Sequence, residues 1–148
     1  MNKVELIRQL AQILDERMHH AKLAMDAAQE SANEQGKSSV GDKYETARSM
    51  GQLDRDMFAR QFESARQERE ILNRINPHEK HHQVTLGSLV NTSSGWFFLS
   101  VSLGKTLFEK ETILVVSSVS PIGGLLLGKQ VGNSFMFMGK SQQILSIL

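Results

Sequence analysis

The chain of 148 residues contains no cysteine, so neither a disulfide framework nor thiol chemistry is available to it. It also carries almost no net charge, since 17 basic and 16 acidic side chains leave +1. Non-specific nucleic-acid binding depends on a basic surplus that displaces counterions, which argues against that class. No apolar run approaches the ~20 residues of a membrane-spanning helix. The start, Met-Asn-Lys-Val-Glu-Leu, lacks the apolar stretch of a secretory leader. The expectation is a cytoplasmic protein without a membrane partner. Proline occurs only twice, at Pro77 and Pro121, and each stands where the sequence pattern changes.

What is present is unevenly divided. Residues 1–76 hold 12 Lys and Arg with 13 Asp and Glu, whereas 77–148 hold 5 and 3. In the polar half, Val4, Ile7, Ala11, Leu14, Met18, Ala21, Met25, Ala28 and Ala32 alternate steps of three and four. That is the coiled-coil period, set among good helix formers. It predicts a helix over 3–34, about 45–50 Å long at ~1.5 Å per residue, with Gly36 just past its end. A short linker, Gly36–Gly41, leads to a second helix from about Asp42 to Asn76. Its apolar residues are Tyr44, Ala47, Met50, Leu53, Met57, Phe58, Phe62, Ala65, Leu72 and Ile75. The period slips at Met57–Phe58 as a stutter would make it, and Pro77 ends the helix. Two such helices joined by a short turn must run antiparallel. Residues 1–76 are thus expected to form a helical hairpin with its tip at 36–45, built for reach.

Residues 77–83 read as a linker and 84–148 as a small β-domain. The linker's His78, His81 and His82 with Glu79 match no zinc spacing and read as an exposed connection. His19 and His20 read as solvated. Val84–Val90, Gly95–Leu103, Thr112–Val119, Val131–Met138 and Gln142–Leu148 read as strands, with antiparallel pairing expected. Between them, Ser120-Pro-Ile-Gly-Gly-Leu-Leu-Leu-Gly128 reads as a one-turn helix stopped by glycine, with Leu125–Leu127 given to the core. The fold class is therefore α+β. The only acids of 84–148 are Glu109 and Glu111, beside Lys110, and no nucleophile has a base. An enzyme in its own right is not expected, nor is an intrinsic cofactor.

Two stretches resemble the bacterial Gre-type transcription elongation (transcript-cleavage) factors. The run 120–132 is similar to the family's S-P-[IL]-G/A…L-[LI]-G-K-x-x-G-D, and Gly41-Asp42-Lys-Tyr-Glu45-Thr-Ala47 resembles its G-D-x-x-E-N-A tip. The resemblance implies an FKBP-like C-terminal domain docking at the rim of the RNA polymerase secondary channel, here through Ser120, Pro121, Ile122 and Gly123. It implies a coiled coil threading that channel, and tip acids Asp42 and Glu45 helping to hold a second Mg²⁺ at the polymerase's own active site, where backtracked RNA is cleaved. A monomer binding core RNA polymerase is the corresponding expectation. A peptidyl-prolyl isomerase is not supported, since no apolar substrate pocket can be assigned from the sequence.

Asp42 and Glu45, three apart at a helix start, share one face and suit the positive end of the helix dipole. The same pair also fits an N-cap with its capping-box partner. Thr46 stands where the family has Asn, Arg48 where an acid is common, and Lys43 adds further positive charge. Three readings follow: a cleavage-promoting factor, a non-cleaving secondary-channel inhibitor, and a coiled-coil adaptor that dimerises.

Overall fold

The computed structural model describes residues 1–35 and 41–148, with side chains for all of these except 35 and 41–44. Helix α1 spans Lys3–Gln35 and helix α2 spans Gly41–Asn73. The chain divides into two compact units: Leu10–Arg69, and Met1–Gln9 together with Glu70–Leu148. The helix bases 1–9 and 70–73 fall in the unit that holds the sheet. Within that second unit, Gln9 Nε2 donates to the Leu107 carbonyl at 2.8 Å. Ile75 also packs where a Cβ on Gly87 would fall, 2.8 Å from its Cγ2.

In the first unit the helices run antiparallel. Arg69 Nε donates to Asp15 Oδ1 at 3.0 Å, and Gly51 lies against Ala32. The predicted seam of α1 is the inner one, with Ala11, Leu14, Ala21 and Ala32 buried and Met18, Met25 and Ala28 partly so. On α2 the inner positions are Gly51, Arg55, Phe58, Phe62, Ala65 and Arg69, in steps of four and three throughout. Met50, Leu53 and Met57 are exposed and lie off this seam. The expected stutter is thus absent from the seam, which stays unbroken once those three are removed from it. The turn at 36–40 and the Gly36 stop lie outside the described residues.

α2 stops at Asn73, before Pro77 is reached. Arg74 and Ile75 donate three residues back, to Ile71 and Leu72, so the last turn tightens and ends the helix first. His78 N then bonds Asn76 Oδ1 at 3.0 Å in an Asx turn.

The sheet has six strands: β1 Leu89–Thr92, β2 Gly95–Ser100, β3 Gly104–Phe108, β4 Glu111–Ser117, β5 Ser134–Phe137 and β6 Lys140–Ile147, with the short helix α3, Pro121–Leu126, between β4 and β5. Their order is β3-β4-β2-β1-β6-β5. Two departures from expectation are connected. Gly104–Phe108 forms its own strand, and β4 reaches past it to pair with β2. Two reversals separate β2 from β4, so that pair is parallel and the sheet is mixed rather than wholly antiparallel. The β3–β4 turn uses Glu109 and Lys110 with φ of 49° and 65°, a left-handed pair usually left to Asn-Gly.

One face of the sheet carries Val90, Phe97, Leu99, Val116, Phe135 and Ile144, closed over by Val84 and by Leu126 of α3. Phe97 meets Phe135 and Phe137 edge-on, at 6.2 and 5.6 Å between ring centres. The other face buries Leu89, Phe98, Phe108, Ile113 and Val115.

Candidate functional site

Asp42 and Glu45 fall in the opening residues of α2, which starts at Gly41. The backbone places both in helix at the expected three-residue spacing, which keeps them on one side of it. Glu45 is exposed; the side chain of Asp42 lies outside what is described, as does the residue that caps the helix. Glu45, Thr46 and Arg48 all stand in the solvent-facing part of this turn. Among the described residues no three of His, Cys, Asp or Glu gather into a metal cluster. Two hard oxygen donors at this spacing suit a Mg²⁺ ion whose remaining ligands come from elsewhere.

The segment 120–123 is accounted for residue by residue. Ser120, with φ −73° and ψ 159°, caps α3: its Oγ accepts from Gly123 N at 3.1 Å and donates to the Ser117 carbonyl at 2.6 Å. Pro121 takes the first helical turn, where no N–H is needed. Ile122 is half-buried against the core. Gly123 is buried, and a Cβ there would lie 1.9 Å from the Ser117 carbonyl oxygen, so only glycine fits. Of the four, Pro121 alone is exposed.

The expectation that Leu125–Leu127 belong to the core holds for Leu126 alone. Leu126 is buried, but Leu125 and Leu127 are exposed, as is Val131, and Val119 is 91% exposed. At ~100° per residue, only one of three consecutive leucines in a single turn can face the sheet. That was the available signal.

The linker histidines are not equivalent. His81 is half-buried, and its Nε2 is buried with no hydrogen-bond partner. Burial lowers its pKa, the Lys3 ammonium lowers it further, and Glu79 opposes. Lys3, only 7% exposed, donates to the Leu148 carbonyl at 3.0 Å, and burial lowers its pKa too, with Glu79 again opposing. The exposed-connection reading therefore fails for His81 because the 77–83 segment packs back beside the start of α1.

No protein-family description matches the chain, and no curated protein does. Among solved structures it is similar to "Structure of the transcription factor Gfh1", at 18% identity over 93% of this chain and 92% of that one, with a TM-score of 0.36. Identity and score are both too low for that likeness to carry weight here. No described helix is long and apolar enough to cross a membrane.

Proposed function

We propose that this protein is a transcription elongation regulator of Gre type, a cytoplasmic monomer that binds core RNA polymerase and inserts its coiled coil into the secondary channel. The observation that carries the reading is the unbroken inner seam of the hairpin joined to a helix start bearing Asp42 and Glu45. The same two acids can serve the helix start and still present carboxylates at the end of the rod. The two wordings that resemble the Gre factors, at 41–47 and 120–132, support the same reading.

The second Mg²⁺, when held in the complex, supplies activation of water or stabilisation of the leaving oxygen in phosphodiester hydrolysis. This chain's part is to bring Asp42 and Glu45 as oxygen ligands, on a helix that fixes their spacing. Backtracked RNA is met only inside the polymerase. Docking falls to the exposed surface around α3, where Val119, Pro121, Leu125 and Leu127 are exposed apolar residues, while Ser120, Ile122 and Gly123 set its shape from within. Lys43 and Arg48 oppose cation binding, so the non-cleaving inhibitor is the alternative within this class. A cleavage assay on backtracked complexes across a Mg²⁺ series decides between them.

A second reading, an adaptor that dimerises, draws on Met50, Leu53 and Met57. They stand at i, i+3 and i+7 on α2, and Leu53 is 66% exposed. Solution mass separates the two: a monomer with affinity for core polymerase fits the first, and an obligate dimer without it fits the second.

A further inference from the structure

We propose that the sheet binds an apolar side chain of an extended, acidic peptide, in a pocket at its uncovered end. α3 and Val84 close only part of the core face. Toward β3 that face is bare: Lys105, Leu107, Thr112 and Leu114 share it through the β3–β4 register, and Leu107 is 68% exposed. Here a cavity of about 210 Å³ opens between Phe97, Leu114, Thr112 and Lys105 on one side and Phe137 of β5 on the other. Small-molecule sites usually run to about 300–1,000 Å³. This one is sized for a single side chain, with aromatic and aliphatic walls.

The peptide character of the ligand comes from the neighbouring edge. β5 is the last strand of the sheet. Its register with β6 is closed at Phe137 and Lys140 by a two-residue turn, with φ positive at both Met138 and Gly139. Ladder bonds alternate along an antiparallel pair. Phe135 and Phe137 therefore bond to β6, leaving the N–H and C=O of Ser134 and Met136 facing outward. An added strand takes its affinity from such main-chain groups and its selectivity from a side-chain pocket beside them. The far edge, β3, is already partly covered by Gln9 on the Leu107 carbonyl.

The acidic character comes from Lys105. It is exposed, has no ion pair among the described residues, and is the one charged group lining the cavity. Glu111, the nearest acid along β4, lies in register with Phe108 on the opposite face. Residues 77–148 as a whole carry 5 basic against 3 acidic side chains. An acidic residue two positions from the inserted side chain, on the same face of the extended peptide, would meet Lys105 at the rim. This inference does not rest on the polymerase reading.

Binding is read by isothermal titration calorimetry, which needs no reporter group in the pocket. The full-length protein is titrated with three blocked pentapeptides: Asp-Thr-Phe-Thr-Asp, the same with Ala for Phe, and the same with Lys for both Asp. The expected result is a saturable heat of binding with the first peptide, about tenfold tighter than with either other. Lys105→Glu should weaken it by about fivefold or more at an unchanged melting temperature, with Lys105→Met intermediate. No saturable heat up to about 2 mM, a range that covers even weak binding, would overturn the proposal. So would equal binding of the three peptides, or undiminished binding by a folded Lys105→Glu variant.

Discussion

Gly51 on α2 faces Ala32 on α1 so closely that a methyl group added to it would lie 2.8 Å from the Ala32 Cβ and 3.3 Å from its Cα. Farther along the same unit, Arg69 reaches Asp15. The position numbers of the two pairs add to 83 and 84, so one antiparallel register holds between these two pairs of the unit. It sets Ala21 level with Phe62 and Met18 with Ala65. Small residues on one helix against larger ones on the other let the axes approach while keeping the seam filled.

This contact gives a prediction with a sign. In an open helix, Gly→Ala stabilises by about 1 kcal/mol. At Gly51 the new methyl must push the helices apart, so Gly51→Ala should give no gain, and Gly51→Leu should lower the melting temperature. The exchanged pair Gly51→Ala with Ala32→Gly should recover most of the loss of the single changes. Thermal unfolding of the four proteins checks this; a full stabilising gain from Gly51→Ala alone would mean the helices do not meet there.

The α3 surface separates fold from docking. Ile122→Asp places a charge against the core, and Gly123→Ala drives a methyl into the Ser117 carbonyl. Each should destabilise the sheet unit by about 2 kcal/mol or more, visible in circular dichroism melts. Val119→Asp and Leu125→Asp change solvent-facing positions and should leave the melt within about 0.5 kcal/mol of wild type. On the proposed function they should weaken polymerase binding. Full binding by both would move docking away from α3.

Acidification should weaken the fold through His81. Its pKa lies below the ordinary value because burial and the Lys3 ammonium disfavour the charged form. The unfolded chain therefore binds this proton more readily than the folded one. Its stabilising effect is present above the unfolded value of about 6.5 and is lost as pH falls from there through the lowered folded value. Urea midpoints measured from pH 7.5 to 5.5 should fall for wild type and fall less for His81→Gln. Parallel curves for the two proteins would assign the pH dependence elsewhere.

Cleavage, if it occurs, should depend on the tip acids alone. Asp42→Asn should abolish it, since loss of a carboxylate ligand removes support for the ion, while polymerase affinity stays nearly unchanged. Glu45→Gln should act in the same direction with a smaller effect. Wild-type protein that binds polymerase and leaves backtracked RNA intact over a range of Mg²⁺ would favour the inhibitor, with Lys43 and Arg48 as the first residues to exchange.

Much of this architecture is legible locally. The α1 seam is written in its 3–4 spacing, because a two-helix hairpin buries one stripe and nothing else competes for it. On α2, Met50, Leu53 and Met57 are as apolar as the true seam, and hydropathy alone cannot say which of two stripes is inside. Gly51 and Arg69, both on the seam, gave no apolar signal at all. β3 was recoverable: Lys105-Thr106-Leu107-Phe108 precedes a turn at Glu109 and Lys110, but the positive φ of two non-glycine residues hid the tightness of that turn. The β2–β4 pairing and the burial of His81 are set by distant segments, so no local pattern encodes them. Likewise, the wording of 120–123 carries mostly the mechanics of capping and close approach, with the exposed surface lying beside it.

The absence of cysteine makes the central claim directly measurable, since Glu45→Cys introduces a single attachment point. An iron chelate coupled there and bound to core RNA polymerase generates hydroxyl radicals that cut nearby backbone. The account predicts cuts clustered around the polymerase active site and the walls of the secondary channel, abolished by unlabelled protein. Binding with cuts confined to the outer surface of the enzyme, or no binding at micromolar concentration, would contradict it.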